Sequence, residues 1–252
     1  MQSVVERVVS YMYEQYSEPI SLADMADVAV LSQFHFSRVF RASTGVSPGR
    51  FLSAVRLHRA KTLLVTTKHS VTDISYMVGY NSLGTFTSRF TRSVGISPVQ
   101  FRRTSGFINV LHAPGLDCAQ TVTGSVDGQV SVPYEHTSTT IYLGLFDNPI
   151  AQGPLVGCAV LDDSLTFAMP SVPEGELYAL AVAVDNTDRE AAPGTRVARM
   201  IARKGPFKVA YGQELTLRLT MRDALKTDPP MLLALPNLDA CGAHQLVSTL
   251  AV

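Results

Sequence analysis

The sequence predicts a multidomain protein in which an all-α N-terminal domain with two helix-turn-helix motifs precedes an all-β antiparallel sandwich. Three observations predict it. The 252 residues carry no net charge, yet residues 1–104 hold 12 Lys and Arg against 6 Asp and Glu, a net of +6, while 105–252 hold 9 against 15, a net of −6. Glycine and proline rise at the same place, from 5 and 3 in the first part to 12 and 11 in the second, as expected where helices give way to short strands and turns. Finally, the first part repeats itself after 50 residues, while the second alternates apolar and polar residues with period two. The boundaries that follow are a helical domain over 1–104, a linker over 105–118 around Ala113-Pro114-Gly115, and a β domain over 119–252.

Hydrophobic residues make up 46% and charged residues 17% of the chain, a globular composition that excludes disorder as the main state. The longest apolar runs, such as Leu177 to Val184, fall far short of the ~20 residues of a membrane helix. Residues 1–20 lack a signal peptide's basic start and apolar centre, so a cytoplasmic location is expected. Cys118, Cys158 and Cys241 are odd in number and widely separated, with no CxxC spacing, and are expected to be reduced, mostly buried thiols.

The repeat lays Phe36 to Phe51 over Phe86 to Phe101 without gaps. Seven of these sixteen positions are identical: Phe36/Phe86, Phe40/Phe90, Ser43/Ser93, Gly45/Gly95, Ser47/Ser97, Pro48/Pro98 and Phe51/Phe101. Within each copy the phenylalanines are spaced i, i+4 on one helical face, the glycine suits a helix C-terminus, and Ser-Pro starts the next helix. A shorter helix precedes each copy. Leu22, Met25, Ala26 and Ala29 form one apolar face before a turn at Val30-Leu31 and a cap at Ser32; Val71, Ile74 and Met77 form another before Gly79-Tyr80-Asn81 and Ser82. Each half is therefore helix, tight turn, helix, the geometry that places a second helix in a DNA major groove. Between the copies an amphipathic helix runs from about Pro48 to Thr66, burying Phe51, Leu52, Val55, Ala60, Leu63 and Leu64 and setting the distance between the two reading helices.

With Ile20-Ser-Leu-Ala-Asp-Met-Ala26, Phe36-Ser-Arg-Val-Phe40, Gly45-Val-Ser-Pro48, Arg56-Leu-His-Arg-Ala60, Leu63-Leu64, Ile74 to Tyr80, Phe86 to Phe90, Gly95-Ile-Ser-Pro98 and Phe101-Arg102, residues 21–103 resemble the two-helix-turn-helix DNA-binding domain of the AraC/XylS transcriptional regulators. The resemblance implies that two helices enter successive major-groove segments on one face of duplex DNA. It places Gln33, Phe34, Ser37 and Arg38, with His35 beside them, at the base edges on the first helix. On the second it places Thr85, Thr87 and Ser88, beside Leu83 and Gly84. Arg38 is the leading base reader, because a guanidinium bonds guanine O6 and N7 together; Phe34 suits a thymine methyl. Where other members carry Gln or Arg, the second helix carries hydroxyls, which points to methyl contacts and DNA shape. Arg41, Arg50, Arg92 and Arg102, with the helix starts at Ser32, Ser47, Ser82 and Ser97, are the candidates for phosphate contacts.

The second half reads as strands. Leu215, Leu217, Leu219 and Met221 alternate with polar residues, Ile141, Leu143 and Leu145 repeat the pattern, and Tyr178, Leu180, Val182 and Val184 alternate with alanines, as in a strand covered on both faces. Further strands are expected over 121–126, 128–132, 156–161, 165–169 and 207–211, with turns that include Asp127-Gly128. Residues 167–178 loosely resemble the strand, turn and strand of transthyretin-like sandwiches. Residues 226–252 are left open, with Met231 to Leu235 either a last strand or a tail segment that seeks a surface.

The function expected is a sequence-specific DNA-binding transcriptional regulator modulated through its β domain. Double-stranded DNA is its expected partner; RNA polymerase, a small-molecule effector and self-association are candidate partners of the second half. The opposed charges also allow the acidic half to fold against the basic one and oppose DNA binding. No cofactor or metal is expected, and no enzymatic activity: the sequence has no GxSxG, no GxxxxGK[ST] and no HExxH, Asp162-Asp163 reads as a turn, and His112, His136 and His244 are scattered. An architectural DNA binder, or an enzyme active through the β domain, are the alternatives.

Overall fold

The computed structural model describes residues 2–103, 124–133, 139–153, 155–161, 164–185 and 198–232. The chain divides into two compact units, one of residues 1–103 with Leu225–Leu232, the other of the remainder. Residues 225–232 thus group with the helices, although they follow the last strand in sequence. The expected linker over 105–118, Asp162-Asp163, the three histidines named above, Cys118 and Cys241 lie outside the described residues.

In the first unit the helices are α1 (Gln2–Glu14), α2 (Leu22–Ala29), α3 (Gln33–Thr44), α4 (Pro48–Thr66), α5 (Val71–Met77), α6 (Leu83–Val94) and α7 (Pro98–Arg103). Their ends follow from local chemistry. Ser21 and Asp24 close a capping box at α2, and Ser70 and Asp73 close its twin at α5, each satisfying two orphan backbone donors. The same bonds hold both carboxyls below the usual aspartate range, led by the Ser21 backbone for Asp24 and by the Ser70 hydroxyl for Asp73. Gly45 and Gly95 end α3 and α6 in the left-handed region. The two Ser-Pro starts differ. Ser97 accepts the Gln100 N–H at 3.3 Å, whereas Ser47 makes no side-chain capping bond.

Phe36, Phe40, Phe51, Phe86, Phe90 and Phe101 are all buried, joined by Val5, Val8, Val9 and Met12 of α1. The central helix α4 buries more of its circumference than its expected stripe, adding Ala54, Leu57 and Lys61, while Leu63 is only half-buried. Leu22 and Met77, expected on apolar inner faces, are exposed. Val30 ends α2 in the left-handed region, with φ 57° and ψ 45°.

The second unit contains β1 (Gly124–Ser131), β2 (Thr139–Phe146), β3 (Gly157–Leu161), β4 (Thr166–Val172), β5 (Gly175–Asp185), β6 (Ala198–Val209), β7 (Gln213–Thr220) and β8 (Arg222–Asp223). One sheet has the order β4-β1-β7, the other β3-β2-β5-β6-β8. The pairing is antiparallel except between β1 and β7, which run parallel from Gly124↔Gln213 to Ser131↔Thr220. Residues from both sheets meet in one core, among them Val126, Phe167 and Leu217 on one side and Leu143, Ala181 and Met200 on the other. Leu180, Val182 and Val184 are also buried, so β5 is covered on both faces, as its alternation with alanine suggested. The strand, turn and strand expected over 167–178 are present as β4 and β5.

Two expectations are corrected. Asp127-Gly128 is not a turn but the middle of β1: a Cβ on Gly128 would collide with the Leu217 carbonyl, so this glycine permits a close strand approach instead of a reversal. Cys158 is disulfide-bonded instead of reduced. Spacing along the chain carries no information about which sulfurs meet in space.

Two stability predictions follow. Left-handed geometry costs an L-residue about 1–2 kcal/mol, and the Val30 side chain is 82% exposed, so little burial is lost on removing it. Val30→Gly should raise the stability of the helical unit by about 1 kcal/mol, net of glycine's greater unfolded entropy, as measured by urea unfolding followed at 222 nm. The depressed Asp24 and Asp73 carboxyls contribute stability that is present above pH 3.8 and is lost as pH falls through their lower folded values. The double variant Ser21→Ala/Ser70→Ala should flatten that acid limb in the same assay.

Candidate nucleic-acid interface

Helix α3 begins at Ser32, whose hydroxyl accepts the His35 N–H at 3.4 Å, and turns Phe36, Phe40 and Thr44 inward. The outward face then follows from helical spacing: Gln33, Ser37 and Arg41 lie at i, i+4 and i+8, with Phe34 and Arg38 alongside. Gln33, Phe34, Arg38 and Arg41 are exposed and Ser37 is half-buried. Phe34 is 80% exposed on a helix whose Phe36 and Phe40 are 1% and 0% exposed. Arg38 Nη2 lies 3.3 Å from His35 Nδ1, which draws the guanidinium toward the N-terminal end of the helix.

Helix α6 is built the same way. Ser82 accepts the Thr85 N–H at 3.2 Å, Phe86 and Phe90 are buried with Ser93 and Val94, and Leu83, Gly84, Thr87, Ser88, Thr91 and Arg92 line one shallow surface depression. Thr87 and Ser88 thus share a face, as expected. Thr85 is exposed but is not among the residues that line the depression. Thr91, not anticipated, does line it; the signal was in the repeat, since a shift of 50 sets Thr91 over Arg41. The two faces differ in chemistry. That of α3 presents an amide, an aromatic ring and two guanidinium groups, that of α6 three hydroxyls, a leucine, a glycine and one arginine.

Among the phosphate candidates, Arg41, Arg50 and Arg92 are exposed. The hydroxyls of Ser32 and Ser82 already cap their helices, and that of Ser97 bonds Gln100 Oε1 at 3.0 Å; such positions offer helix N-termini more than side chains. Arg102 is placed differently. Its Nε donates to the Leu64 carbonyl at 3.1 Å and its Nη2 is buried without a hydrogen-bond partner, so the side chain pins α7 to the end of α4 and is not spread toward solvent. Arg89 and Arg103 are exposed cations that the sequence reading passed over; α6 and α7 carry them beside the expected residues. Among the described residues no three His, Cys, Asp or Glu side chains are grouped to hold a metal ion, and no helix is long and apolar enough to cross a membrane.

The helix-turn-helix domain family matches residues 25–104, the segment that contains both exposed faces. Residues 25–104 thus carry a helix-turn-helix domain. It is similar to the raffinose operon transcriptional regulatory protein RafR of Pediococcus pentosaceus, 36% identical over 98 residues, which are 39% of this chain and 35% of that protein. It is also similar to the HTH-type transcriptional activator RhaS of an Enterobacter species, 32% identical over 99 residues, 39% and 36% of the two chains. Among solved structures, an AraC-type transcriptional regulator from Chromobacterium violaceum is 29% identical, matching 41% of this chain and 92% of that one with a TM-score of 0.40. The chain spans roughly a third to a half of the length of the curated relatives it matches. What the chain shares with them is the helical part; the β unit lies outside residues 25–104.

Arg102→Gln should destabilise the helix-turn-helix domain by about 1.5–3 kcal/mol, the range for a hydrogen bond made by a charged group. Arg50→Gln, exposed on α4, should change stability by less than about 0.5 kcal/mol. Thermal unfolding of the two variants side by side separates the pin from the surface cation.

Proposed function

We propose that this protein is a sequence-specific transcriptional regulator that binds duplex DNA by setting α3 and α6 into successive major-groove segments, with the β unit modulating that binding. The observation that carries the reading is Phe34: a large aromatic ring left 80% exposed at the start of the second helix of a helix-turn-helix motif, flanked by exposed Gln33 and Arg38. Solvating such a ring is unfavourable unless a partner covers it. A thymine methyl group and the sugar edge supply an apolar cover in a groove whose base edges suit Gln33 and Arg38. The names of the relatives, regulators of operon transcription, agree with this use.

Division of labour follows from the two faces. The α3 face holds the groups that discriminate bases by bidentate hydrogen bonds, while the hydroxyls and methyls of Thr87, Ser88 and Thr91 suit thymine contacts and local DNA shape. Arg41, Arg50 and Arg92 neutralise phosphates, giving affinity without sequence information. The β unit takes the regulatory role, through a small molecule, self-association or contact with RNA polymerase.

The test is selection of duplexes from a random library by the full chain, followed by titration of variants. Two half-sites about one helical turn, roughly 10 bp, apart are expected. Arg38→Ala should lose about 1–3 kcal/mol at a single base position, whereas Arg41→Ala should weaken all sequences alike and reduce the salt slope by about one. No enriched sequence, or a single half-site, overturns the paired reading.

A further inference from the structure

Residues 225–232 belong to the helical unit, yet Ala224 alone separates them from β8. Ala224 is itself fastened to the sheet, its N–H donating to the Arg199 carbonyl on β6 at 2.9 Å. The segment then closes a turn on itself: the Leu225 N–H donates to Asp228 Oδ2 at 2.8 Å and the Asp228 N–H to the Leu225 carbonyl at 3.0 Å. Beyond the turn it is held down. Thr227, Pro229 and Leu232 are buried, Leu232 completely, and the Met231 backbone hydrogen-bonds His58 on α4. One helical turn from His58 lies Lys61, also buried, with Nζ 5.9 Å from the centre of the Phe101 ring.

We propose that residues 225–232 are a strap through which the second unit sets how firmly α4 holds the two reading helices apart, the seated strap being the DNA-competent state. The inference rests on the regulatory reading above. Helix α4 runs from the end of the first motif to the start of the second, and its 19 residues span about 28 Å at 1.5 Å per residue. Any play in it becomes play in the spacing of α3 and α6. The strap meets it at His58, in its middle.

The seat is also poised to open. Burial pushes the His58 imidazole down to about 4, so this base regains water when the cover lifts. Apolar burial at Leu232 and Pro229 opposes that desolvation. Two opposed terms at one contact let a modest displacement of its anchor shift the balance. The anchor is Ala224, bonded to the strand pair β6–β8 of the unit assigned the regulatory role.

The test uses the full chain and two duplexes, the selected site and the same site with one base pair inserted between its half-sites. In Leu232→Asp, hydrogen exchange of the α4 amides near His58 should rise at least tenfold over wild type. The preference for the selected spacing, read by fluorescence anisotropy, should fall at least fivefold, while far-UV circular dichroism keeps its helical signal. Should Leu232→Asp fail to fold, Leu232→Ala removes the burial without adding charge and carries the same comparison. Unchanged exchange overturns the strap. Faster exchange with equal weakening on both duplexes reduces it to ordinary packing and overturns it as well. Absence of any selected sequence with wild-type protein overturns the DNA-binding reading itself, which separates that failure from the strap's.

Discussion

The face that α3 and α6 each show to solvent is fixed by three phenylalanines. In the first motif the Phe36 and Phe40 rings meet at 5.4 Å and Phe40 meets Phe51 of α4 edge-on at 5.5 Å, 90°. In the second, Phe86 and Phe90 are 5.6 Å apart and Phe90 meets Phe101 of α7 at 5.6 Å, 78°. The same three positions of the repeat thus build the same ladder twice. Such pairs add about 0.5–1.5 kcal/mol each beyond their burial, and their directionality matters more than the sum. An edge-on contact sets the rotation of α3 about its axis, and that rotation turns Gln33, Phe34 and Arg38 outward together. Loss of the ladder would be felt as misdirection of the outer residues before it was felt as unfolding.

A second constraint holds the two motifs in one frame. Arg56, on α4, donates to the Tyr16 and Glu18 carbonyls at 2.7 Å each, in the segment that joins α1 to α2. Burial lowers its pKa, but two strong acceptors satisfy the charge. Gly79, in the turn of the second motif, comes down on the same place. Its φ is +82°, and a Cβ there would lie 2.8 Å from the Tyr16 and Ser17 carbonyl oxygens. The first and second motifs therefore meet at one backbone segment with no room for a side chain, and Arg59 stacks over Tyr16 at 5.6 Å beside it.

Much of this was legible because the helical half is local. Capping serines, terminal glycines and i, i+4 phenylalanines each report on their own turn, and the repeat allowed one motif to be read against the other. Thr91 was the lapse: the repeat pointed to it through Arg41, but a threonine has no charge to draw attention. Thr85 is exposed on α6, as Ser88 is, but does not line the depression that Thr87 and Ser88 share. The β half was legible in its strands but not in its pairing. Gly128 reads as a turn when only its neighbours along the chain are considered, and as a close approach once β7 lies beside it. The placing of Arg102 and of the segment 225–232 was not legible for one reason, that their partners are remote: Leu64 stands 38 residues from Arg102, and His58 lies more than 170 residues before Met231.

The parallel pairing of β1 with β7 orders events in time. Asp127 accepts from Thr216 across a separation of 89 residues, so the three-stranded sheet cannot close until almost the entire chain has left the ribosome, whereas each helical motif completes within a few tens of residues. Non-local pairings of this kind form slowly and local ones quickly. The nascent chain thus displays its folded helices while the second unit is still an unpaired thread, and β1 waits with an open edge for a strand not yet made. For that interval α4 stands without the 225–232 segment that later groups with it, and the unpaired edge of β1 is open to pairing with another chain.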